Sequence, residues 1–294
     1  MSEHGAVPAG VAEREGEVRL SDGARLRMPL RDADIAALEA VLAPMRAWTS
    51  PEFLGFGNIP ADGPVMLVGN HNFLGIDTPL LWPEIARTRG RLVRGMAENV
   101  LITVPGVRHV LHRIGCVRGT RENCRVLLEQ GEMVLVFPGG GREAVPRKGD
   151  KYTLDWDGRL GFARLAIETG TPIVPMAMIG ADDLFDIVVD GRHPAMWPVR
   201  TLVRSLGLKA ELTPPLVRGL GLSWIPKPER FYYSAATPID TTPWRDATDL
   251  DAAAAEVQAV VRKALEEELR FLLAHRDRDR GRTLTGRLRQ LAGL

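Results

Sequence analysis

The stretch Asn70-His71-Asn72-Phe73-Leu74-Gly75-Ile76-Asp77 sets an imidazole and a carboxylate six positions apart. A neutral imidazole can take the proton of an attacking hydroxyl. A carboxylate on its other nitrogen would select the tautomer and stabilise the imidazolium that forms. His71 and Asp77 are therefore the candidate catalytic pair, with Asn70 beside them as a candidate substrate contact. The stretch holds no nucleophile of its own, so the hydroxyl would come from the substrate and transfer would be direct, without an enzyme ester. The competing reading makes His71 a strand-end cap and Asp77 the N-cap of a helix beginning at Thr78.

A second run, Phe137-Pro138-Gly139-Gly140-Gly141-Arg142-Glu143-Ala144, follows the apolar residues 133–136. The amides of Gly139, Gly140 and Gly141 can approach a ligand closely and turn toward negative charge, as a phosphate cradle or part of an oxyanion hole. Arg142 offers a planar, permanently charged fork for an anionic group, for Glu143 or for Asp77. A plain turn and an ordinary ion pair are the alternatives. The run is neither a Walker loop nor a Gly-x-Gly-x-x-Gly fingerprint. A third segment, Gly115-Cys116-Val117-Arg118-Gly119-Thr120-Arg121, opens another helix. Arg118 and Arg121 could hold a phosphate or carboxylate there, or mark a solvated helix start. In Thr171-Pro172-Ile173-Val174-Pro175 the prolines shape a strand entry.

These junctions need a scaffold, and the flanking pattern predicts one. Helical spacing is read at 32–47, 78–87, 122–130, 160–169 and 251–275, and short apolar runs at 65–68, 91–94, 133–137, 173–179 and 231–236 read as strands. The alternation argues for an α/β fold with a central mixed sheet flanked by helices, bearing amphipathic helices at both ends of the domain. Residues 1–31 read as a flexible N-terminal segment, 32–275 as the catalytic domain and 276–294 as an Arg-rich tail. Within the domain, 194–229 holds six prolines, Trp197, Trp224 and five Lys/Arg against two acids, a composition suited to a membrane interface, to a substrate-tunnel wall or to simple core packing.

Composition narrows the partners. Thirty-eight Lys+Arg against 37 Asp+Glu leave a formal charge of +1, far from the basic balance of a nucleic-acid binder, so no nucleic acid is expected. Two cysteines, Cys116 and Cys124, cannot complete a metal cage and suit a reducing compartment; no metal is expected. No apolar run approaches the roughly 18 residues a spanning helix needs, so a lipid substrate would be met from the membrane surface, peripherally and on the cytoplasmic face.

The four segments, in this order, resemble the glycerolipid acyltransferase superfamily of the lysophosphatidate acyltransferase type. Its signature is His-x4-Asp, then Gly…Arg, then Phe-Pro-x-Gly-x-Arg, then a Pro-containing strand. The resemblance runs from about Pro64 to Pro175 and implies a glycerol-3-phosphate acyltransferase-like fold. It implies His71 as general base, Asp77 as its orienting carboxylate, and no cofactor beyond an acyl-CoA or acyl-carrier-protein donor with a lipid alcohol acceptor. Five residues rather than four separate His71 from Asp77, and Gly139 stands where the family usually has Glu, with Glu143 following Arg142. That form, with Arg147-Lys148-Gly149-Asp150-Lys151-Tyr152, Gly180-Ala181-Asp182-Asp183 and Phe231-Tyr232-Tyr233, resembles the branch holding diacylglycerol and monoacylglycerol acyltransferases and phytyl ester synthases. An α/β lipid hydrolase or thioesterase, a non-catalytic lipid-binding protein and a phosphate-binding module are the rival readings. No Gly-x-Ser-x-Gly elbow supports the first.

Overall fold

The computed structural model describes residues 16–20, 25–28, 32–98, 114–205 and 209–292, together with 102, 108, 111, 112 and 207. In chain order the elements are β1 (Gly16–Arg19), β2 (Arg25–Met28), α1 (Asp32–Thr49), β3 (Glu52–Leu54), β4 (Val65–Gly69), α2 (Leu81–Arg89), β5 (Val93–Ala97) and β6 (Val117–Arg118). They continue with α3 (Arg121–Glu129), β7 (Met133–Val136), α4 (Gly141–Ala144), α5 (Gly161–Thr169), β8 (Ile173–Ile179), β9 (Asp186–Val189) and α6 (Trp197–Ser205). The last are β10 (Leu216–Arg218), β11 (Tyr232–Ala235), α7 (Leu250–Arg278) and α8 (Leu284–Leu291).

Seven strands form one sheet in the order β3-β11-β8-β4-β7-β5-β6. β8, β4, β7, β5 and β6 run parallel, and β11 turns antiparallel to β8 while pairing parallel with β3. The sheet is thus mixed, as expected. Its central strands are continuous apolar runs because both faces are covered. Val65 and Leu67 of β4 join the core under α1 and α2, whereas Met66 and Val68 point into the core under α3, α5 and α7. All four are 0% exposed. Asp249 caps α7 by accepting from the amides of Asp251 and Ala252, and Val257, Val261, Leu265, Leu269 and Leu272 bury the inner stripe of that helix.

Several expectations shift. Val41, read as part of the apolar face of α1, is 76% exposed. Residues 194–229 are more regular than their prolines suggest: α6 forms, and β10 pairs antiparallel with β9. The N-terminal stretch expected to be flexible contains the β1–β2 pair, with Leu20 buried, while 1–15, 21–24 and 29–31 lie outside the described residues. The Arg-rich tail is bonded to the domain. α7 extends to Arg278, and Arg276 binds Asp183 at 2.8 Å. Asp279 accepts from Tyr232 Oη and Arg230, and Arg287 donates to the Pro228 carbonyl. Those arginines neutralise and cap groups of the domain itself.

Candidate active site

The parallel strands β4, β7 and β8 end on one edge, the carboxyl edge where open α/β sheets present ligand sites. A cavity of about 290 Å³ opens there, lined by Asn70, His71, Asn72, Arg142, Glu143 and Asp182 together with residues between 146 and 155. Two of the sequence segments therefore converge on one hollow, and two stretches quoted only through the resemblance, 147–152 and 180–183, complete its wall.

The turn after β4 is built by amide side chains. Asn70 Oδ1 accepts from the Met178 amide at 2.9 Å, and its Nδ2 donates to the Met178 carbonyl at 2.8 Å and to Asn72 Oδ1 at 2.7 Å. Asn72 Nδ2 donates to the same carbonyl at 2.9 Å and to Asp77 Oδ2 at 2.5 Å. Both asparagines are buried and continue the β4–β8 ladder past its last backbone pair. Asn70, expected to hold substrate, thus has both donors of its amide committed to the protein.

His71 is half-buried at the cavity, its ring 4.5 Å from that of Phe137. Its Nδ1 lies 3.1 Å from the Asn72 carbonyl. A carbonyl only accepts, so Nδ1 carries the hydrogen and Nε2 keeps the lone pair. Burial lowers the pKa of the ring, against the opposing effects of the Asn72 carbonyl and the Glu98 charge. His71 is therefore a neutral base at physiological pH.

Asp77 does not touch it. No hydrogen bond joins the two side chains among the described residues, and Asp77 is 0% exposed with Oδ1 unpartnered. Burial pushes its carboxyl up to about 6, against the hydrogen bond from Asn72. The extra residue explains the separation. Two 3-10 turns, Phe73–Gly75 and Thr78–Leu80, with left-handed φ of 50° at Leu74 and 63° at Gly75, carry Asp77 beneath the turn. There its carbonyl receives Tyr233 Oη at 2.9 Å. A Cβ on Gly75 would press the His71 ring, 2.9 Å from Cε1. The expected direct pair is thus replaced by a chain in which Asn72 contacts both: its carbonyl takes His71 and its amide holds Asp77. Periodicity carried no signal for Asn72; only its place between the two did.

The glycine run packs tightly and is not among the residues lining the cavity. The Gly140 amide donates to the Phe137 carbonyl at 3.0 Å, and a Cβ on Gly141 would strike Leu212 Cδ2 at 2.4 Å. A Cβ on Gly139 would lie 2.0 Å from Glu143 Cδ. Glu143 therefore fills the room a side chain at 139 would take, and delivers its carboxylate from α4 instead. Its Oε2 accepts from the His71 amide at 2.9 Å and its Oε1 from the Asp155 amide at 2.8 Å. Glu143 is accordingly a partner of the backbone here. Arg142 lines the cavity with its Nη1 3.7 Å from Asp155 Oδ1.

Arg118 and Arg121 are not brought in. Neither lines the cavity, and Arg121 shares Glu168 with Arg125 in an ion-paired cluster. Burial alone would raise Glu168, yet the two guanidiniums outweigh it and hold the carboxyl below its ordinary range. Cys116 and Cys124 are buried free thiols, each pushed up to about 12 by burial. No group of three His, Cys, Asp or Glu among the described residues could hold a metal ion.

Residues 51–179 match the family model described as Acyltransferase. The chain is 30% identical over 255 residues to phytyl ester synthase 1, chloroplastic, of Arabidopsis thaliana, covering 80% of this chain and 36% of that protein. It is 33% identical over 129 residues to the "DGAT1/2-independent enzyme synthesizing storage lipids" of Bos taurus, covering 44% and 38%. The chain thus spans little more than a third of the length of these relatives. A crystal structure of the 1-acyl-sn-glycerophosphate acyltransferase PlsC from Thermotoga maritima aligns at a TM-score of 0.48 with 20% identity, covering 79% of each chain. The His71 turn and the glycine run both lie inside the region, residues 51–179, that matches the acyltransferase family model.

Proposed function

We propose that this chain is an O-acyltransferase that moves a fatty acyl group from a thioester, acyl-CoA or acyl-carrier protein, to a hydroxyl of a glycerolipid or long-chain alcohol. His71 Nε2 takes the hydroxyl proton as oxygen attacks the thioester carbonyl, the C–O bond forms, and the C–S bond then breaks to release the thiolate. The imidazolium returns its proton to the thiolate. Arg142 offsets the charge on the developing oxyanion. One observation carries this reading: a neutral imidazole with Nδ1 held by a backbone carbonyl lines a cavity on the carboxyl edge of the sheet. General-base assistance of this kind is worth about 10² to 10⁴ in rate.

The test is mass spectrometry of products after incubation with acyl-CoA and a panel of lysophosphatidate, monoacylglycerol, diacylglycerol and phytol-like alcohols, alongside the intact mass of the enzyme. An esterified acceptor with no acyl adduct on the protein supports direct transfer. Free fatty acid alone would favour a thioesterase.

The enzyme would work at a bilayer surface. No helix among the described residues is long and apolar enough to cross a membrane. Eight of the fourteen large apolar side chains left exposed among them fall between 188 and 225, including Trp197 at 64%, Leu222 at 90% and Trp224 at 79%. Six Lys/Arg against one Glu lie between 191 and 227, so this surface suits anionic lipid. Leu222→Asp with Trp224→Asp should abolish flotation with anionic vesicles; flotation unchanged would remove this surface from consideration.

A further inference from the structure

We propose that Glu143 and Asp182 are paired positioning residues that staple the His71 turn to the opposite wall of the cavity, so that the imidazole and the substrate meet in a fixed geometry. The inference rests on His71 being the base.

Both carboxylates tie the turn to the wall, Glu143 directly and Asp182 through the residues beside it. Glu143 accepts from the amide of His71 on the turn and from that of Asp155 on the wall. Asp182 Oδ1 accepts from the amide of Phe73 on the turn at 2.7 Å, and its neighbours Asp183 and Gly180 bond Tyr152 Oη on the wall. Between these two ties, Asn72 is held by Met178 and Asp77. Residues 71, 72 and 73 thus each donate one hydrogen bond to a different carboxylate, and the wall is held at Asp155 by Glu143 and at Tyr152 by Gly180 and Asp183. Tyr152 is itself held in a left-handed conformation, φ 57°, with Oη bonded to Asp183 at 2.5 Å.

The arrangement is costly for stability, which argues for a role beyond bracing. Burial pushes both Glu143 and Asp182 up to about 7, so ionising them in the folded protein is harder than in the unfolded chain. A carboxyl whose folded pKa is raised loses stability as pH rises from its unfolded value through the folded one. At pH 8 both groups are ionised against that penalty. A neutral brace would hold two segments together more cheaply, yet only a carboxylate offers two acceptor oxygens and no donor to two facing amides.

Glu143→Gln replaces one acceptor by an NH₂ that faces an N–H, and Asp182→Asn removes the charge that the Phe73 amide meets. Measured at pH 8, each should lower kcat for thiol release ten- to a hundredfold with KM for acyl-CoA within threefold. Melting temperature should hold or rise. Amides of His71 and Phe73 should exchange hydrogen at least tenfold faster than in the unaltered protein. The exchange readout stands even if the chain releases no thiol, a result that would sink the proposed activity alone. Unchanged kcat and exchange in both variants, a loss carried by KM, or a fall in melting temperature proportionate to the loss of activity would overturn the proposal. Should either variant fail to fold, the structural reading gains and ours is contradicted.

Discussion

Two strand-to-helix junctions of this protein look alike as text and differ in substance. Both the turn after β4 and the segment after β6 set charged or titratable side chains just past a strand of the same parallel sheet. At the first, buried Asn70, Asn72, Asp77 and Glu143, with half-buried Asp182, form the hydrogen-bond network of the turn that carries half-buried His71. At the second, Arg121 is 49% exposed and neutralised by Glu168. Position on the carboxyl edge is thus insufficient to make a site. What distinguishes the first junction is the desolvated polar scaffold beneath it, which is costly to bury.

The contrast can be broken at several points, and the largest effect is expected at the imidazole. His71→Ala should lower the rate of thiol release by about 10² to 10⁴ with an unchanged circular dichroism spectrum; a wild-type rate in the purified variant would remove the first junction from the chemistry. Gly139→Ala comes next. Its Cβ would lie 2.0 Å from Glu143 Cδ, so the carboxylate must leave the His71 amide. At least tenfold loss of kcat is expected, and an equal rate would show that the tie is dispensable.

Asp77→Asn sharpens the comparison inside the first junction. A carboxylate in direct contact with the catalytic imidazole is worth about 10⁴ in kcat. Because Asp77 reaches His71 only through Asn72, the expected loss is nearer tenfold, and a thousandfold loss would mean that the two side chains meet during turnover. The smallest effect belongs to the second junction. Arg121→Ala should leave kcat within twofold and shift stability by no more than about 1 kcal/mol, the range of an exposed ion pair, as read by denaturant titration. A tenfold loss of activity there would return that arginine to the substrate.

Much of this was legible in the residues, for identifiable reasons. Strands β4, β7 and β8 are buried on both faces, so they appear as unbroken apolar runs, and β8 coincides with its expected span, 173–179. The stripe of α7 was equally plain. By contrast β9, β10 and α6 lie at the surface, where Leu216, Trp197 and Leu202 remain exposed and no core face imposes a period. At the site, His71 and Glu143 could be singled out as residue types, but their partners could not. The extra residue before Asp77 signals a changed turn without saying which way the carboxylate points. That direction depends on Leu74 and Gly75 adopting left-handed backbone and on Tyr233, more than 150 positions away, taking the Asp77 carbonyl. Asp182 likewise meets Phe73 across 109 residues.

The central claim is that His71 is a neutral base with its hydrogen on Nδ1, a tautomer set by the Asn72 carbonyl that accepts it rather than by an acid partner. Nitrogen-15 NMR of the imidazole, assigned by comparison with His71→Gln and followed through a pH titration, tests it most directly. The account predicts a protonated Nδ1, a bare Nε2 and a pKa below the ordinary histidine value of 6.5. A hydrogen on Nε2, or a pKa raised above that value as in an ion pair with Asp77, would contradict it.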